Sequence, residues 1–229
     1  MINCLFCQRP IKEVLTLKQI LIWQPIKHLP ICDDCRANFL RIEDKICQNC
    51  GRPLSQDQSS PCHDCLLWQE DYHWFPHNQA LFSYDAAFKE WLLMLKGRGD
   101  FRLANLFSSD LKTFQKTYTQ AVWVPVPSSP KNYERRGFHQ TEVILKTSHI
   151  PYVMALDYKQ ESQKQALQGR YGRLHRKNPF TLAPTTQLPP GRQVLLFDDV
   201  YTTGATMHSA WQTLEEADYQ VVGSITLAR

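Results

Sequence analysis

Short apolar runs and helical periodicities alternate along the last two thirds of the chain. Residues 194–197 are four consecutive apolar positions, too short for a helix and typical of a buried strand. Met207, Ala210 and Leu214 then recur three or four positions apart, which predicts a helix. Further strands are predicted at residues 80–84, 121–126, 152–156 and 221–227, and further helices at residues 88–96, 101–114 and 143–146. This alternation predicts an α/β domain with a mostly parallel sheet over residues 80–229.

The first 70 residues have a different character, because they contain all eight cysteines of the chain, in four C-x-x-C pairs. A two-residue gap lets both thiolates of a pair bind one metal ion, and two pairs complete a tetrahedron. Taken in sequence order, the pairs predict two structural zinc sites in a small module over residues 1–70. The first site is Cys4, Cys7, Cys32 and Cys35, and the second is Cys47, Cys50, Cys62 and Cys65.

Other interpretations of this module are open at this stage. A disulfide framework would need an oxidising compartment, and four redox C-x-x-C motifs would need a thioredoxin-like surrounding. The zinc sites could pair sequentially or cross over, and His28 or His63 could replace a cysteine. Residues 66–79 contain Trp68, Tyr72 and Trp74. We interpret them as an aromatic linker packed on the next domain, with a stacking platform for nucleic acid as the alternative.

The strand at residues 194–197 leads into a stretch with its own chemistry. Asp198 and Asp199 stand at its carboxyl end, and a turn of small residues follows: Thr202, Thr203, Gly204, Ala205 and Thr206. The first N–H groups of a helix attract anions, and the glycine lets a phosphate approach the backbone. Paired carboxylates suit a sugar diol, directly or through Mg²⁺. The stretch therefore predicts a site for a ribose 5-phosphate at the carboxyl end of a parallel strand.

Residues 194–206, V-L-L-F-D-D-V-Y-T-T-G-A-T, resemble the phosphoribosyl pyrophosphate (PRPP) motif of type I phosphoribosyltransferases. The resemblance implies that Asp198 and Asp199 hold the ribose hydroxyls and Mg²⁺, and that the turn from Thr202 to Thr206 holds the 5′-phosphate. A lone Asp-Asp turn with a threonine N-cap is the alternative. The V-P-V-P-S-S run after the second predicted strand resembles the pyrophosphate loop of the amidophosphoribosyltransferase branch. Its candidate ligands are Ser128, Lys131, Arg135 and Arg136.

Residues 159–177 are strongly basic, with six Lys or Arg against one Glu. They lack a sustained apolar face, which predicts a mobile loop or hairpin. Lys164, Arg170 and Arg173 are the candidate residues of a basic lid over the phosphates. Contact with a nucleic-acid backbone and a merely solvated loop are the alternatives.

Composition adds few constraints beyond these. The chain has 229 residues, 43% of them hydrophobic and 21% charged, and a net charge of +4, which is too small alone to imply nucleic acid. No apolar run reaches the about 18 residues of a membrane span. The N-terminus has no charged-then-apolar signal segment, so we expect a cytoplasmic protein.

Several motifs occur in one order along nearly the whole chain: the C-x-x-C pairs, V-P-V-P, R-R-G-F-H-Q, K-Q-A-L-Q-G-R-Y-G-R-L with N-P-F, and the PRPP motif. This combination resembles the ComF family of competence proteins, with His139 where the family usually has Asn. The resemblance implies a role in DNA uptake during transformation, beside a helicase-like DNA translocase, with single-stranded DNA as a possible ligand. An active phosphoribosyltransferase with an unidentified acceptor is the alternative function.

Overall fold

A four-stranded parallel sheet forms the centre of the computed structural model, which describes residues 3–11, 21, 30–42, 45–159 and 178–229. Its strands lie in the order β1-β6-β5-β2. The strands in chain order are β1 (Asn78–Phe82), β2 (Val122–Pro125), β3 (Leu156–Tyr158), β4 (Phe180–Leu182), β5 (Gln193–Val200) and β6 (Gln220–Ala228). Strands β3 and β4 pair antiparallel in a separate ribbon. The predicted α/β class is confirmed.

The helices are α1 (Asp33–Ala37), α2 (His63–Tyr72), α3 (Ala86–Arg98), α4 (Ser108–Thr117), α5 (Pro130–Arg136), α6 (Gln140–Thr147) and α7 (Ala205–Glu215). Local chemistry sets the bounds of α3 at both ends. The Asp85 side chain accepts a hydrogen bond from the Phe88 N–H at 2.8 Å, and Gly99 ends the helix with a φ of 63°. Within the described residues, no helix combines the length and the apolar character needed to cross a membrane.

Both faces of the sheet are buried, and they belong to two separate cores. Leu195 and Phe197 of β5 lie in one core with Trp91 of α3. Val194 and Leu196 lie in the other core with helix α7. Successive side chains of a strand point to opposite faces, so the continuous apolar run of β5 supplies both cores.

Two predicted elements are wrong. Residues 101–114 do not form one helix, but a 3₁₀ turn (Phe101–Leu103) followed by α4. The Leu103 carbonyl accepts from the Leu106 N–H at 3.2 Å, a bond between residues three apart, and also from the Trp91 indole at 3.0 Å, which fixes a tight turn here against the core. Of the strand predicted at residues 152–156, Tyr152 makes only an isolated bridge to Trp123, and Leu156 begins β3.

Candidate functional site

The eight cysteines form two groups of four, Cys4/Cys7/Cys32/Cys35 and Cys47/Cys50/Cys62/Cys65. The predicted sequential pairing is therefore confirmed, and the crossed pairing is wrong. Within each group the sulfur atoms lie within 4.8 Å of one another, and all eight cysteines are free thiols. A disulfide needs about 2.05 Å between sulfur atoms, so the framework of disulfides is excluded.

The spacing of the sulfur atoms fits a tetrahedral metal ion. The closest described pairs are 3.6 Å apart for Cys7 and Cys32, and 3.6 Å apart for Cys50 and Cys62. A zinc–sulfur bond of about 2.3 Å in a tetrahedron requires about 3.8 Å between sulfur atoms. The Cys62 N–H also donates to the Cys47 sulfur at 3.3 Å, which stabilises a thiolate. Each group therefore has the donors and spacing of a structural zinc site.

The second cysteine group positions a helix against the turn at residues 202–206, which we call the phosphate turn because a phosphate is predicted to bind there. Cys62 precedes α2, and Cys65 lies in its first turn. One turn further along, the Trp68 indole N–H donates a hydrogen bond of 2.8 Å to the Thr203 carbonyl. The residues interpreted as an aromatic linker thus form a helix as far as Tyr72. This contact joins the cysteine module to the start of α7.

The turn before α7 is tightly packed around Gly204, whose φ is 92°. A Cβ atom at this position would lie 2.4 Å from the Tyr201 hydroxyl and 3.2 Å from the Trp68 indole nitrogen. Only glycine combines this φ with this space. The Thr203 hydroxyl accepts from the Ala205 N–H at 3.3 Å, and Gly204 offers no capping side chain to the rest of the first turn. The helix start can therefore bind an anion.

The acidic pair lies near the carboxyl end of β5. Asp199 is 4% exposed, whereas Asp198 is partly exposed and accepts a hydrogen bond from the Asp199 N–H at 2.8 Å. Although part of the residue is exposed, its carboxyl group is desolvated by the surrounding protein, and this desolvation, followed by the charge of Asp199, raises the pKa of Asp198 well above its usual value. Two neighbouring carboxylates in such surroundings need a cation or hydroxyl donors to remain ionised together. Their oxygen atoms are the ligand type that Mg²⁺ prefers.

Lys96 supplies one such cation, and the sequence pattern did not identify it. Its ammonium group forms an ion pair with Asp199, from the last turn of α3. Lys96 is also among the groups whose charge lowers the pKa of Asp198, against the effect of burial. The segment before β2 thus reaches the acidic pair from the sheet face that carries α3.

The loop after β2 is held by a small hydrogen-bond network. The Ser128 hydroxyl donates to Gln140 Oε1 at 2.6 Å, and Arg136 donates to the same oxygen at 2.9 Å. The Ser128 N–H donates to His139 Nδ1 at 3.0 Å. Burial lowers the pKa of His139, which keeps its ring neutral and able to accept. Ser128 and His139 therefore fix the loop to the start of α6.

The basic residues after this loop form a helix, α5, which Pro130 begins and Gly137 ends. Arg135 and Arg136 line a cavity of 190 Å³ with Lys89 and Lys96, whereas Lys131 does not line it. Burial, followed by the charge of Arg135, lowers the pKa of Arg136, and the charge of Asp199 opposes that shift. Four cationic residues line this cavity, and no carboxylate does so within the part of the chain that the structure describes, so the cavity is complementary to a polyanion.

The candidate lid residues Lys164, Arg170 and Arg173 lie outside the described residues. At the other end of the site, Arg229 is a contact that the sequence did not indicate. Its guanidinium lies 4.3 Å from the centre of the Tyr201 ring and donates to the Thr202 carbonyl at 3.5 Å. The charge of Arg229 also contributes to lowering the pKa of Cys50 to about 5, after a hydrogen bond from Cys65 and against burial.

Comparison with known proteins identifies the type of domain that contains β5 and α7. Residues 143–229, which include β5, the turn and α7, match the family described as "Phosphoribosyl transferase domain". The fold and the cysteine groups together define a phosphoribosyltransferase-type domain with an N-terminal module whose two Cys4 groups could hold metal ions.

Relatives extend the similarity to almost the whole chain. Competence protein ComFC of Streptococcus pneumoniae is 34% identical over 227 residues, which cover 99% of this chain and 100% of the relative. Competence protein ComFC of Bacillus subtilis is 32% identical over 237 residues, covering 99% and 94%. Competence protein F of Haemophilus influenzae is 26% identical over 211 residues, covering 89% and 86%. The chain belongs to the ComFC family of competence proteins, as its motifs predict.

Proposed function

We propose that this protein serves DNA uptake in natural transformation, and that its phosphoribosyltransferase-type domain binds PRPP with Mg²⁺ at the junction of β5 and α7. One observation carries the proposal. A single strand ends in an acidic pair, a glycine turn with positive φ and an uncapped helix start, within the residues that match the phosphoribosyl transferase domain. A phosphate and a diol in one ligand would engage both parts of this edge.

The 5′-phosphate would bind to the turn from Thr202 to Thr206. Thr202, Thr203 and Thr206 are exposed at this turn, and their hydroxyl groups can donate to phosphate oxygens. The first-turn N–H groups add further donors with partial positive charge. The hydrogen bond from the Trp68 indole to the Thr203 carbonyl would keep the turn in its binding conformation before the ligand binds.

The ribose hydroxyls and Mg²⁺ would bind to Asp198 and Asp199. A metal bound here would supply positive charge to the carboxylates and to the ligand phosphates. Asp198 is the more exposed of the two and so the first to meet a hydroxyl. Asp199 begins in an ion pair with Lys96, and that lysine can exchange the carboxylate for a phosphate oxygen.

The pyrophosphate group would lie toward Ser128, Lys131, Arg135 and Arg136. The cavity lined by both arginines and Lys96 gives this end the charge that a pyrophosphate requires. Lys164, Arg170 and Arg173 remain the proposed lid. Lys96 lines the cationic cavity and also forms the ion pair with Asp199. A pyrophosphate bound in the cavity would therefore interact with the same lysine that neutralises the acidic pair.

In the cell we place the protein in the cytoplasm, beside a helicase-like DNA translocase that moves the incoming single strand. The names of the Streptococcus and Bacillus relatives support the competence role. The basic segment at residues 159–177 is the proposed contact with single-stranded DNA, and we expect that contact to weaken steeply with salt. The zinc module is the proposed docking element for a partner.

A working phosphoribosyltransferase is the second candidate, and the cationic cavity beside Asp199 favours it. Arginines at that position would stabilise pyrophosphate as it leaves C1 of the ribose. Release of pyrophosphate from PRPP in the presence of candidate nucleobases, lost on Arg136→Ala, would support turnover. Tight PRPP binding with no release of pyrophosphate in the presence of any candidate nucleobase would favour the accessory role over turnover.

A transformation assay tests the proposed function in the cell. We expect the Asp198→Ala/Asp199→Ala variant to transform poorly while it stays folded and its zinc content matches that of the unmodified protein. The matched control is Asp157→Ala, an exposed carboxylate on β3, which should transform normally. Normal transformation by the double variant would contradict a requirement for PRPP binding.

A further inference from the structure

A second concavity adjoins the turn at residues 202–206, between the cysteine module and α7. It has a volume of 810 Å³ and is lined by residues of α2 and the segment after it, by α7 with Glu216 at its end, and by Asn178 before β4. A smaller cavity of 310 Å³ adjoins it and shares Trp68 and Tyr72. We call the two together the aromatic groove. Each of the two cavities alone lies in the range of about 300–1,000 Å³ that small-molecule sites occupy, and together they exceed it, which leaves room for a larger occupant.

The walls of the groove are a cluster of aromatic rings around His208. The His208 ring lies 5.0 Å from Trp68, 5.0 Å from Tyr72 and 4.9 Å from Trp74, measured between ring centres. Burial lowers the pKa of His208, so the central ring carries no charge. Tyr72 is 50% exposed and Leu67 is 43% exposed, although both are large apolar residues. The Trp74 indole N–H is buried and has no hydrogen-bond partner among the described residues.

The charge of the groove is negative, in contrast to the cavity beside Asp199. Four carboxylates line it, and no lysine or arginine does so among the described residues. The four are Asp64, Asp71, Glu215 and Glu216; Asp64 is paired with Arg52, so the other three supply the charge that a ligand would meet. Phosphate groups of a nucleic acid would be repelled here, so the stacking platform for nucleic acid considered for these aromatic residues is not favoured.

We propose that the aromatic groove docks a segment of a partner protein that carries arginine or lysine side chains. A guanidinium can lie flat on the face of Trp or Tyr while a neighbouring carboxylate pairs with its edge. The exposed face of Tyr72 and the carboxylates Asp71, Glu215 and Glu216 offer both contacts. The unpaired Trp74 N–H is a donor for a backbone carbonyl of such a segment. This proposal does not depend on PRPP binding, because it uses none of the proposed PRPP ligands except Ala205 and Thr203 at its margin.

The test uses the zinc-loaded full chain and a short blocked peptide of alternating arginine and glycine. Binding is followed by tryptophan fluorescence and by calorimetry. We expect the Glu215→Gln/Glu216→Gln variant to bind at least about ten-fold more weakly, equivalent to about 1.4 kcal/mol. The charge-matched control is Glu90→Gln/Glu134→Gln, whose carboxylates are exposed and do not line the groove, and its affinity should be unchanged. Tyr72→Ala should weaken binding in the same way as the Glu215→Gln/Glu216→Gln variant.

The same peptide with citrulline in place of arginine separates charge from shape, and it should not bind. Equal binding of the citrulline peptide, or equal affinity of the two glutamine variants, would overturn the proposal. So would oligothymidylate binding that is lost in Tyr72→Ala, because that result assigns the groove to nucleic acid. Self-association that disappears in Glu215→Gln/Glu216→Gln, without peptide binding, would assign it to a second copy of this chain.

Discussion

The two cysteine groups resemble each other in sequence but pack on opposite faces of one sheet. Cys4 and Cys35 lie in the core that contains Leu195 and Phe197. The second group, Cys47 to Cys65, lies in the core that contains Val194 and Leu196. Successive residues of β5 therefore belong to cores that contain different cysteine groups. A single strand thus packs against both cysteine groups, although its sequence has no pattern in common with theirs.

The two groups also differ in burial and in their contacts with the turn at residues 202–206. All four cysteines of the second group are buried, and α2 carries Trp68 directly to the phosphate turn. In the first group Cys7 and Cys32 are partly exposed, and the Arg9 side chain donates to the Cys7 sulfur at 3.3 Å. The first group is connected to α3 through Phe39, which packs on Phe88, and through the neighbouring Leu40 N–H, which donates to the Asp85 side chain at 3.4 Å. We therefore expect the phosphate turn to depend on the second group far more than on the first.

Removing one cysteine from each group gives the largest expected effect and could break the comparison. Cys62→Ser and Cys32→Ser are matched, because each cysteine immediately precedes a helix. Each variant should lose one of the two zinc ions. PRPP affinity should fall more than about ten-fold in Cys62→Ser and less than about three-fold in Cys32→Ser, because structural zinc contributes its binding free energy to folding of its own module. Metal analysis and calorimetry measure both, and equal losses of affinity would contradict the asymmetry.

Gly204→Ala should weaken PRPP binding by about ten-fold, because the alanine adds backbone strain of about 1–3 kcal/mol and a clash with the Tyr201 hydroxyl. Tyr201→Phe removes that hydroxyl and should alone leave affinity unchanged. In the double variant part of the affinity should return, since the clash is relieved while the positive φ remains. If the double variant binds PRPP no more tightly than Gly204→Ala, the contact between residue 204 and the Tyr201 hydroxyl does not control PRPP binding by the turn.

Lys96→Met tests the opposite face of the site. It leaves Asp199 buried without its partner, which should destabilise the fold by up to about 3 kcal/mol. PRPP affinity should fall about five-fold if the lysine also meets a phosphate. Lys89→Met is the control, because Lys89 lines the same cavity without an ion pair to Asp199 among the described residues. Urea unfolding and calorimetry that gave identical results for the two variants would remove Lys96 from the site.

Trp68→Phe removes one hydrogen bond, to the Thr203 carbonyl, and keeps an aromatic ring in α2. We expect a loss of about 1 kcal/mol in PRPP binding, the usual net worth of such a bond. Tyr72→Phe on the same helix should leave affinity unchanged. Trp68 and Lys96 act from different faces, so their effects should add in the double variant. Strong coupling in that cycle would mean that the two faces do not act independently.

The smallest expected effect concerns pH and His139. Its pKa is lowered in the folded protein, so the unfolded chain binds more protons as pH falls below about 6.5. Protonation also removes the acceptor for the Ser128 N–H. Stability measured by urea unfolding should therefore decrease from pH 7.5 to pH 5.5, and by less in His139→Asn. An unchanged pH dependence in His139→Asn would show that this ring does not titrate in the loop.

The sequence predicted the features that depend on residues close together along the chain. The C-x-x-C spacing predicted both cysteine groups, and the pattern at residues 194–206 predicted the strand, turn and helix that the structure contains. The roles assigned to Asp198, Asp199 and the turn stay predictions. Short-range patterns carry this information because a turn, a helix start and a metal knuckle each involve few neighbouring residues.

The contacts that the sequence did not predict join distant parts of the chain. Trp68 and Thr203 are 135 positions apart, and Lys96 meets Asp199 only because α3 packs on one face of the sheet. Arg135 and Arg136 were predicted in a loop but lie in a helix that Pro130 and Gly137 delimit. Likewise the helical packing of Trp68 and Tyr72 follows from Cys62 and Cys65, which fix the first turn of α2. Tertiary contacts of this kind leave no periodicity in the sequence.

Calorimetric titration of PRPP with and without Mg²⁺ tests the central claim most directly. The zinc-loaded protein should bind PRPP in a Mg²⁺-dependent manner, and binding should be abolished in Asp198→Ala/Asp199→Ala at unchanged zinc content but retained in Asp157→Ala. Binding that survives the loss of both carboxylates, or no binding by the unmodified protein, would contradict a ribose phosphate site at the end of β5.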